Sequence, residues 1–402
     1  MDPATNPFAP GAGTQPPELA GRDQILTAAN IALARVKNGL SSKSLILTGL
    51  RGVGKTVLLN RIYDQAVSEG YKSALVEAHE DKTLPALLAP PLRKILYSLD
   101  LVENAGNKVK RGFRVLGSFV KGLKAKIGEV EFGLDTEAGT ADSGDLENDL
   151  PELFVAIGEA AQDKKTAVAL CVDELQYLSE PELSALIMAI HKINQRNLPL
   201  IVVGAGLPLI AGMSGKSKSY AERLFDFPPV DRLSSQDAAS ALQSPVRARN
   251  VEFAELAILQ VVEATQGYPY FLQQWGHEAW NLAERSPITV ADIDKASAAA
   301  IRKLDEGFFR VRFDRLTSRE KEYLRALAGL GDGPQRSGDI AETLGVKPQS
   351  VAPIRSSVIK KGMIYSPRYG DTEFTVPLFD KFMIRTMPDK ADGYGFKPPE
   401  QS

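Results

Sequence analysis

The chain has 402 residues, of which 44% are hydrophobic and 24% charged, so it is long enough for two or three globular domains with substantial cores. Its formal net charge of −2 excludes a general attraction to nucleic acid, and its single cysteine, Cys171, excludes an internal disulfide framework and favours a cytoplasmic location. No apolar run approaches the length of a membrane span, no signal-peptide pattern opens the sequence, and the three histidines lack metal-ligand spacing.

Domain-scale patterns divide the sequence into an arm, three folded parts and a tail. Residues 1–17 are rich in Pro, Gly, Ala and Thr, which predicts an extended or mobile arm. Over 18–230, buried-strand runs alternate with helical periodicity, which predicts an α/β domain with a parallel sheet covered on both faces. Helical patterns alone over 231–310 predict a lid. Three helices and a hairpin over 311–388 predict a winged-helix-like domain, and 389–402 form a tail.

A glycine-rich phosphate-binding pattern follows the first predicted strand. Gly49, Gly54, Lys55 and Thr56 fit G-x-x-x-x-G-K-[ST], the P-loop, between an apolar strand run and a predicted helix. Its backbone N–H groups can surround a phosphate, and the helix start adds further donors and the positive end of the helix dipole. Lys55 is expected to reach the outer phosphates, and the Thr56 hydroxyl to ligate Mg²⁺. The predicted nucleotide-binding segment comprises Gly49, Gly52, Val53, Gly54, Lys55, Thr56 and Val57.

The segment 104–149 carries an uneven charge pattern. Its first half interleaves basic and apolar residues, and its second half holds eight acidic residues with no basic residue among them. One interpretation is an insertion with a solvated surface and a mobile acidic loop. The alternative is a basic amphipathic element that contacts DNA, a membrane or a partner and is masked by its acidic neighbour. The basic residues are Lys108, Lys110, Arg111, Arg114, Lys121, Lys124 and Lys126.

A second motif ends a later buried strand. The run from Ala167 to Val172 is apolar and is followed directly by Asp173 and Glu174, which is the form of a Walker B motif. A carboxylate at this strand end can hold Mg²⁺ beside Thr56, so Asp173 is predicted to be the metal residue. Glu174 is predicted to orient and deprotonate the attacking water, so it is the candidate catalytic base. Lys55 is the second catalytic candidate, as the lysine that binds the phosphates. The expected ligands are therefore a nucleoside triphosphate and Mg²⁺.

The C-terminal part has the pattern of a helix-turn-helix with a wing. Helices are predicted at 320–330, 337–344 and 348–361, and short strands at 363–366 and 373–376. This arrangement would offer duplex DNA a set of phosphate contacts and modest base readout. The alternative is a protein-interaction or autoinhibitory module. The candidate DNA-contacting residues are Lys347, Gln349, Ser350, Arg355 and, in the wing, Arg368.

The order of these motifs resembles the archaeal and bacterial origin-recognition-like AAA+ ATPases and the related STAND ATPases over about 18–387. The resemblance rests on Leu19-Ala20-Gly21-Arg22-Asp23, the P-loop, Asp173-Glu174, Arg223, Gly267-Tyr268-Pro269 and the C-terminal pattern. It implies that Gly21 and Arg22 lie near the adenine and that Pro269 contacts the nucleotide from the lid. It also implies that Arg223 reaches into a neighbouring subunit as an arginine finger, which requires a homo-oligomer. The chain departs from AAA+ proteins at 204–206, where Gly-Ala-Gly replaces the usual polar residue that senses the γ-phosphate.

Two classes of function remain open at this stage. The first is an ATPase that uses its nucleotide state as a conformational switch on DNA through the winged helix. The alternative is a STAND-like signalling or defence switch, or a recruiter of a partner protein, with slow ATP turnover and no DNA binding. ATP is favoured over GTP because no Asn-Lys-x-Asp motif follows the P-loop. A kinase is disfavoured because no acceptor-substrate site is evident.

Overall fold

The structure is a computed structural model that describes residues 1–11, 13–100, 106–123, 135–217 and 221–388. Its centre is a five-stranded sheet in the order β2-β3-β4-β1-β5, and the paired strands are all parallel. The predicted parallel sheet of a P-loop NTPase fold is therefore confirmed. The strands are β1 (Ser44–Thr48), β2 (Lys72–Glu77), β3 (Val168–Asp173), β4 (Leu200–Gly206) and β5 (Phe225–Asp226).

Helices cover both faces of this sheet, because the parallel strands are joined by helical crossovers. Every residue of β3 and β4 is buried, in keeping with their nearly continuous apolar sequences. The helices of this part are α1 (Asp23–Lys37), α2 (Lys55–Ser68), α3 (Leu84–Asp100), α4 (Asn107–Gly122), α5 (Leu146–Asp163), α6 (Glu180–Gln195), α7 (Leu209–Ser217) and α8 (Ala221–Leu224).

Side chains alternate along β1 between two hydrophobic cores. Leu45 and Leu47 belong to the core that α1, α2 and the lid helices share, whereas Ile46 belongs to the core built with α3, α5 and α6. The period of two along a strand produces this division. The first core continues without interruption through the lid into the C-terminal part of the chain, so the three parts share one hydrophobic core.

The described part of the charged insertion is a folded layer of the α/β domain. Val115, Leu116 and Phe119 of α4 are fully buried in the second core. Arg111 on the same helix forms ion pairs of 3.0 Å with both Glu137 and Glu159. The apolar face of α4 is therefore packed inside the domain and is not available to a membrane or partner, whereas DNA contact through its basic residues stays a prediction. Lys124, Lys126, Glu129 and Glu131 lie outside the described residues.

The N-terminal segment packs on the lid, unlike the mobile arm predicted from its composition. Phe8 is only 3% exposed, and a Cβ at Gly276 would lie 2.6 Å from its ring. The Asn6 amide donates to the carbonyl of His277 at 3.0 Å, and the Trp280 indole donates to the carbonyl of Asp2 at 2.9 Å. One buried aromatic ring and these hydrogen bonds together offset the loss of conformational entropy in the segment.

The lid consists of four helices and leads into the C-terminal part through a change in helix geometry. These are α9 (Ser235–Arg247), α10 (Glu255–Thr265), α11 (Pro269–Leu282) and α12 (Val290–Lys303). A π-helical turn over Leu304–Phe309 follows, and then the short helix α13 (Arg310–Asp314). Aromatic contacts run from Tyr270 through Phe308 and Phe309 to Phe382, so the junction between lid and C-terminal part is packed.

The C-terminal part contains the three helices and the hairpin predicted from its sequence. A third strand completes an antiparallel sheet in the order β6-β8-β7. The elements are α14 (Ser318–Gly329), β6 (Gln335–Arg336), α15 (Ser337–Thr343), α16 (Pro348–Lys360), β7 (Ile364–Tyr365), β8 (Asp371–Phe374) and α17 (Phe379–Thr386). Among the helices that the structure describes, none has the length and apolar character needed to cross a membrane.

Candidate nucleotide-binding site

The P-loop forms a tight turn between β1 and α2. Gly54, the residue before α2, has φ +95°, which is a left-handed conformation that side chains disfavour. Gly49 lies so close to the neighbouring chain that a Cβ there would be 2.0 Å from the carbonyl oxygen of Val230. The glycines that define the motif are thus required by the backbone path, independently of any ligand.

Lys55 is the first residue of α2 and is 6% exposed. Its Nζ donates a 2.8 Å hydrogen bond to the carbonyl of Leu50, within the loop. Burial lowers the pKa of Lys55 to about 8, although the carboxylates of Glu174 and Asp173 act to raise it. The ammonium group therefore lies in a shielded position, where a phosphate would supply the negative charge that favours its protonated form.

Thr56 and Asp173 meet across the sheet edge. Oγ1 of Thr56 donates to Oδ2 of Asp173 at 2.6 Å, and Oδ1 of Asp173 accepts from the backbone N–H of Glu174 at 2.8 Å. Burial raises the pKa of Asp173. A hydroxyl and one carboxylate are a suitable protein ligand set for Mg²⁺, which retains several waters and also binds phosphate oxygens. Within the described ranges, no group of three or more His, Cys, Asp or Glu residues is arranged to hold a metal by protein ligands alone.

Glu174 begins the loop after β3 in a left-handed conformation, with φ +53°. Its Oε2 accepts a hydrogen bond from Nε2 of Gln176, and Oε1 of Gln176 accepts from the backbone N–H of Leu207 at 3.0 Å. Gln176 thus connects Glu174 to the carboxyl end of β4. Gly206 leaves room for it, since a Cβ at position 206 would lie 3.1 Å from Oε1 of Gln176.

A cavity of about 380 Å³ opens over the P-loop. The P-loop and α2 form its floor, α11 and α13 one wall, and the N-terminal segment another. Tyr270 at the start of α11 donates its backbone N–H to the carbonyl of Gly52 at 3.3 Å, so the lid contacts the loop directly. Lining residues include Ala9, Pro10, Gly13, Thr14, Leu19, Ala20, Arg22, Arg51, Gly52, Val53, Gly54, Lys55, Thr56, Val57, Glu174, Leu233, Ala241, Pro269, Tyr270, Leu272, Phe308 and Arg312.

Arg22 forms hydrogen bonds that connect the P-loop to the segment before the lid. Its Nη2 donates to the carbonyl of Val53 at 3.1 Å and to the carbonyl of Asp231. The side chain is 8% exposed, and burial lowers its pKa. Gly21 takes φ +68° beside Asp237 and shapes the turn into α1 without lining the cavity. The structure therefore brings Arg22 and Pro269 to the cavity and leaves Gly21 in support of them.

Arg223 is exposed at the end of α8, and it does not line the cavity. Residues 218–220 just before it lie outside the described part of the chain. Within a single chain, the structure therefore does not bring Arg223 to the P-loop.

Four of the five candidate DNA-contacting residues are exposed. Lys347, Gln349 and Ser350 are exposed at the start of α16, and Arg368 is exposed in the hairpin, where it pairs with Asp371 at 3.3 Å.

Arg355 is instead part of the hairpin's internal support, which makes it a poor candidate for DNA contact. Its Nε donates to Oγ1 of Thr372 at 2.9 Å, and its Nη2 donates to Oγ of Ser366 at 2.7 Å and to the carbonyl of Asp371 at 2.9 Å.

Several residues in the cavity or next to it are not predicted by the sequence patterns. Arg51 occupies a position that the P-loop pattern leaves unspecified, and Gln176 lies in a turn without a motif. Arg312 comes from a helix about 250 positions further along the chain, so no spacing rule could associate it with the P-loop. The only local signal for Arg312 is the π-helical turn before it, a geometry found frequently at functional sites.

Comparisons with known proteins agree with this geometry. Residues 18–203 match the AAA ATPase domain family, and residues 306–383 match a domain of unknown function. The Walker-type ATPase PABY2304 of Pyrococcus abyssi is 16% identical, with a TM-score of 0.58 over 92% of this chain and 97% of that chain. At this identity the likeness shows the fold alone. No curated protein matches the sequence.

Two other solved structures are less similar. The Orc1 protein of Aeropyrum pernix, in complex with DNA, has a TM-score of 0.46 at 17% identity over 93% of this chain and 94% of that chain. The RuvB Holliday junction branch migration motor of Thermotoga maritima has a TM-score of 0.45 at 14% identity over 90% of this chain and 95% of that chain. Neither similarity carries an argument about function.

Proposed function

We propose that the chain, whose residues 18–203 match the AAA ATPase domain family, binds and hydrolyses ATP and uses its nucleotide state to control the C-terminal part. The observation that carries the proposal is the 2.6 Å hydrogen bond between Thr56 and Asp173, with Glu174 next in sequence and Lys55 beside it. The residues that we assign to phosphate binding, to the metal and to the base therefore lie at one sheet edge, which supports the proposal.

The division of labour follows from the positions of these groups. The P-loop N–H groups and Lys55 would bind the β- and γ-phosphates. Thr56 and Asp173 would hold Mg²⁺, which supplies charge neutralisation on the phosphates when it is bound. Glu174 would orient the attacking water and accept its proton, and Gln176 fixes the direction of the Glu174 carboxylate.

The apolar part of the cavity lining suits a purine ring. It includes Leu19, Ala20, Leu233, Ala241 and Leu272, and residues of the N-terminal segment line the same cavity. An apolar pocket with a few polar groups is the usual environment of a nucleotide base. These features support ATP as the ligand, in agreement with the missing guanine-reading motif.

The test of nucleotide binding uses Lys55→Ala, with Arg61→Ala as the control because Arg61 is an exposed residue of the same helix. We expect Lys55→Ala to abolish ATP binding, measured by calorimetry, and Arg61→Ala to leave it unchanged. ATP binding in Lys55→Ala at the affinity of the unmodified protein would contradict the assignment of the P-loop.

We further propose that the C-terminal part is a winged helix that contacts duplex DNA. Support comes from the order of its elements and from the exposure of Lys347, Gln349 and Ser350 on one helix start, beside the exposed Arg368 and Tyr369 at the hairpin tip. Such a surface offers phosphate contacts that weaken steeply with salt. An ATPase rate that rises with duplex DNA and loses this response in high salt is expected. An ATPase insensitive to DNA favours the signalling or recruitment alternative.

The exposed position of Arg223 supports a homo-oligomer in which this side chain completes a neighbouring site. The molecular mass in solution should then increase with ATP, and Arg223→Ala should lower the ATPase rate while it leaves ATP affinity intact. A monomer under all nucleotide conditions, with full activity in Arg223→Ala, would contradict this arrangement.

A further inference from the structure

Two arginines line the cavity where the P-loop meets the C-terminal part of the chain. Arg51 lies inside the P-loop, and Arg312 lies on α13, the short helix that follows the lid. Both side chains line the cavity that also contains Lys55, Thr56 and Glu174. The cavity therefore receives one guanidinium group from each side of the junction, in addition to the lysine of the loop.

Arg51 contacts two distant parts of the protein and still has an unused donor. Its Nη2 donates to the hydroxyl of Tyr177 at 2.8 Å, in the loop after β3. The guanidinium also lies against Gly362, just after α16, since a Cβ there would be 2.6 Å from Nη2. Its Nε is buried and has no hydrogen-bond partner in the described structure. A buried donor without an acceptor costs free energy, so an acceptor from a ligand would be stabilising.

Arg312 is held in place by its own helix. Its Nη1 donates to the carbonyl of Phe308 at 2.7 Å, and the guanidinium carbon lies 3.8 Å from the centre of the Phe308 ring. Burial, and to a smaller extent the positive charge of Arg51, lowers the pKa of Arg312 to about 10. Since both side chains line one cavity, their positive charges act against each other.

Within the described part of the chain, neither guanidinium has a carboxylate as counter-ion. Two like charges in a partly buried site destabilise each other unless an anion lies between them. Arginine is well suited to bind phosphate oxygens, because its planar fork presents several donors at once.

We propose that Arg51 and Arg312 bind the terminal phosphate of ATP together, and that this contact holds α13 and the C-terminal part against the ATPase domain. The inference rests on the proposed ATP site. ADP lacks the terminal phosphate, so in the ADP state the two cations repel each other without an anion between them. The two residues thus make the site bind ATP in preference to ADP, and they link the bound nucleotide to the C-terminal part.

Hydrogen bonds connect the surroundings of Arg51 and Arg312 to the helices of the C-terminal part. Lys361, next to Gly362, donates to Glu320 at 2.7 Å and to the carbonyl of Arg315 at 2.9 Å. The turn after α16 is therefore tied to the start of α14 and to the end of α13. A change in the position of Arg312 would reach the end of α16 through these bonds.

The test compares affinities for ADP and for a non-hydrolysable ATP analogue, measured by calorimetry with Mg²⁺ on the full chain. Variants are Arg312→Ala, Arg312→Lys and Arg51→Ala. Arg310→Ala is the control, because Arg310 is on the same helix but lies over Phe313 and Phe382 rather than in the cavity. We expect Arg312→Ala and Arg51→Ala to weaken binding of the analogue at least about tenfold and that of ADP less than about threefold. Arg312→Lys should fall between the two.

An unchanged ratio of the two affinities in Arg312→Ala, Arg312→Lys and Arg51→Ala would overturn the inference while ATP binding itself stands. If the unmodified protein binds neither nucleotide, the proposed function fails instead. Hydrogen exchange provides a second readout that does not depend on the folding of one variant. The analogue should protect the backbone of 310–317 and 360–363 in the unmodified protein and in Arg310→Ala but not in Arg51→Ala, and equal protection in all three would also overturn the inference.

Discussion

Gln176 holds the carboxylate of Glu174 in place: its side-chain amide donates to Oε2 of Glu174 and its carbonyl oxygen accepts from the N–H of Leu207 at 3.0 Å. The Gln176 side chain thus provides a polar group at the carboxyl end of β4. The strand itself has only Gly-Ala-Gly over 204–206. The glycine at 206 is consistent with this role, because it leaves the space that the Gln176 side chain occupies.

The first prediction concerns this positioning role. Gln176→Ala should lower the ATP hydrolysis rate roughly tenfold to a hundredfold, because Glu174 loses its fixed direction, with little change in ATP affinity. The rate is measured at saturating ATP, and Gln162→Ala, an exposed residue of α5, is the control. A rate in Gln176→Ala equal to that of the control variant would show that Gln176 does not position the base.

The second prediction concerns the N-terminal segment. Phe8→Ala removes the ring packed on Gly276 and should release 1–11 from the lid. Since residues 9–11, 13 and 14 contribute to the cavity wall, ATP affinity should fall several-fold, and hydrogen exchange in the segment should accelerate. Thr5→Ala is the control, because Thr5 is exposed. Unchanged ATP affinity in Phe8→Ala would mean that the segment is not part of the nucleotide site.

The features that the sequence predicts correctly are those that depend on residues close together in the chain. The P-loop and the strand ending in Asp173 and Glu174 are local patterns, and the parallel sheet follows from strand runs that alternate with helices. The same holds for the three C-terminal helices, because their caps and periodicity are encoded in short windows.

What the sequence does not predict depends on packing between distant segments. Arg312 reaches the P-loop only because the lid folds back over it, and Phe8 anchors a segment whose average composition indicates mobility. Arg355 has the residue type of a DNA contact, but its direction is set by hydrogen bonds to Thr372 and Ser366. Propensity and spacing contain no information about such contacts, so these roles become visible only in the fold.

The third prediction concerns acid stability of the C-terminal part. Burial acts to raise the pKa of Glu320, but hydrogen bonds from Lys361, Ser357 and Thr317 outweigh it and lower the pKa to about 2 from 4.5. A depressed carboxyl pKa contributes stability above pH 4.5 that is lost as the pH falls toward 2. At neutral pH this contribution is on the order of 3 kcal/mol.

The measurement compares unfolding midpoints of Glu320→Gln and the unmodified protein at pH 7 and pH 3. The difference should be large at pH 7 and much smaller at pH 3, and Glu342→Gln, at an exposed position of α15, should show no difference at either pH. A Glu320→Gln effect of equal size at both pH values would contradict the assigned ion pair.

The fourth prediction assigns different roles to two basic residues, DNA contact to Lys347 at the cap of α16 and structural support to Arg355 within this helix. Lys347→Ala should weaken binding to duplex DNA and reduce the slope of the log-affinity against log-salt plot by about one, with no loss of stability, because Lys347 is exposed. Arg355→Ala should lower the unfolding temperature, because Thr372, Ser366 and the carbonyl of Asp371 lose their hydrogen-bond partner. The reverse pattern would show that Arg355, and not Lys347, faces DNA.

The measurement that tests the ATPase assignment most directly is ATP binding and ATP turnover in Glu174→Gln beside the unmodified protein, with Mg²⁺ present. The unmodified protein should hydrolyse ATP. The Glu174→Gln variant should bind ATP with an affinity within about threefold of the unmodified protein and hydrolyse it at least about a hundredfold more slowly, because the amide cannot accept the proton of the attacking water. Full turnover in Glu174→Gln would contradict the account and remove Glu174 from the role of the base.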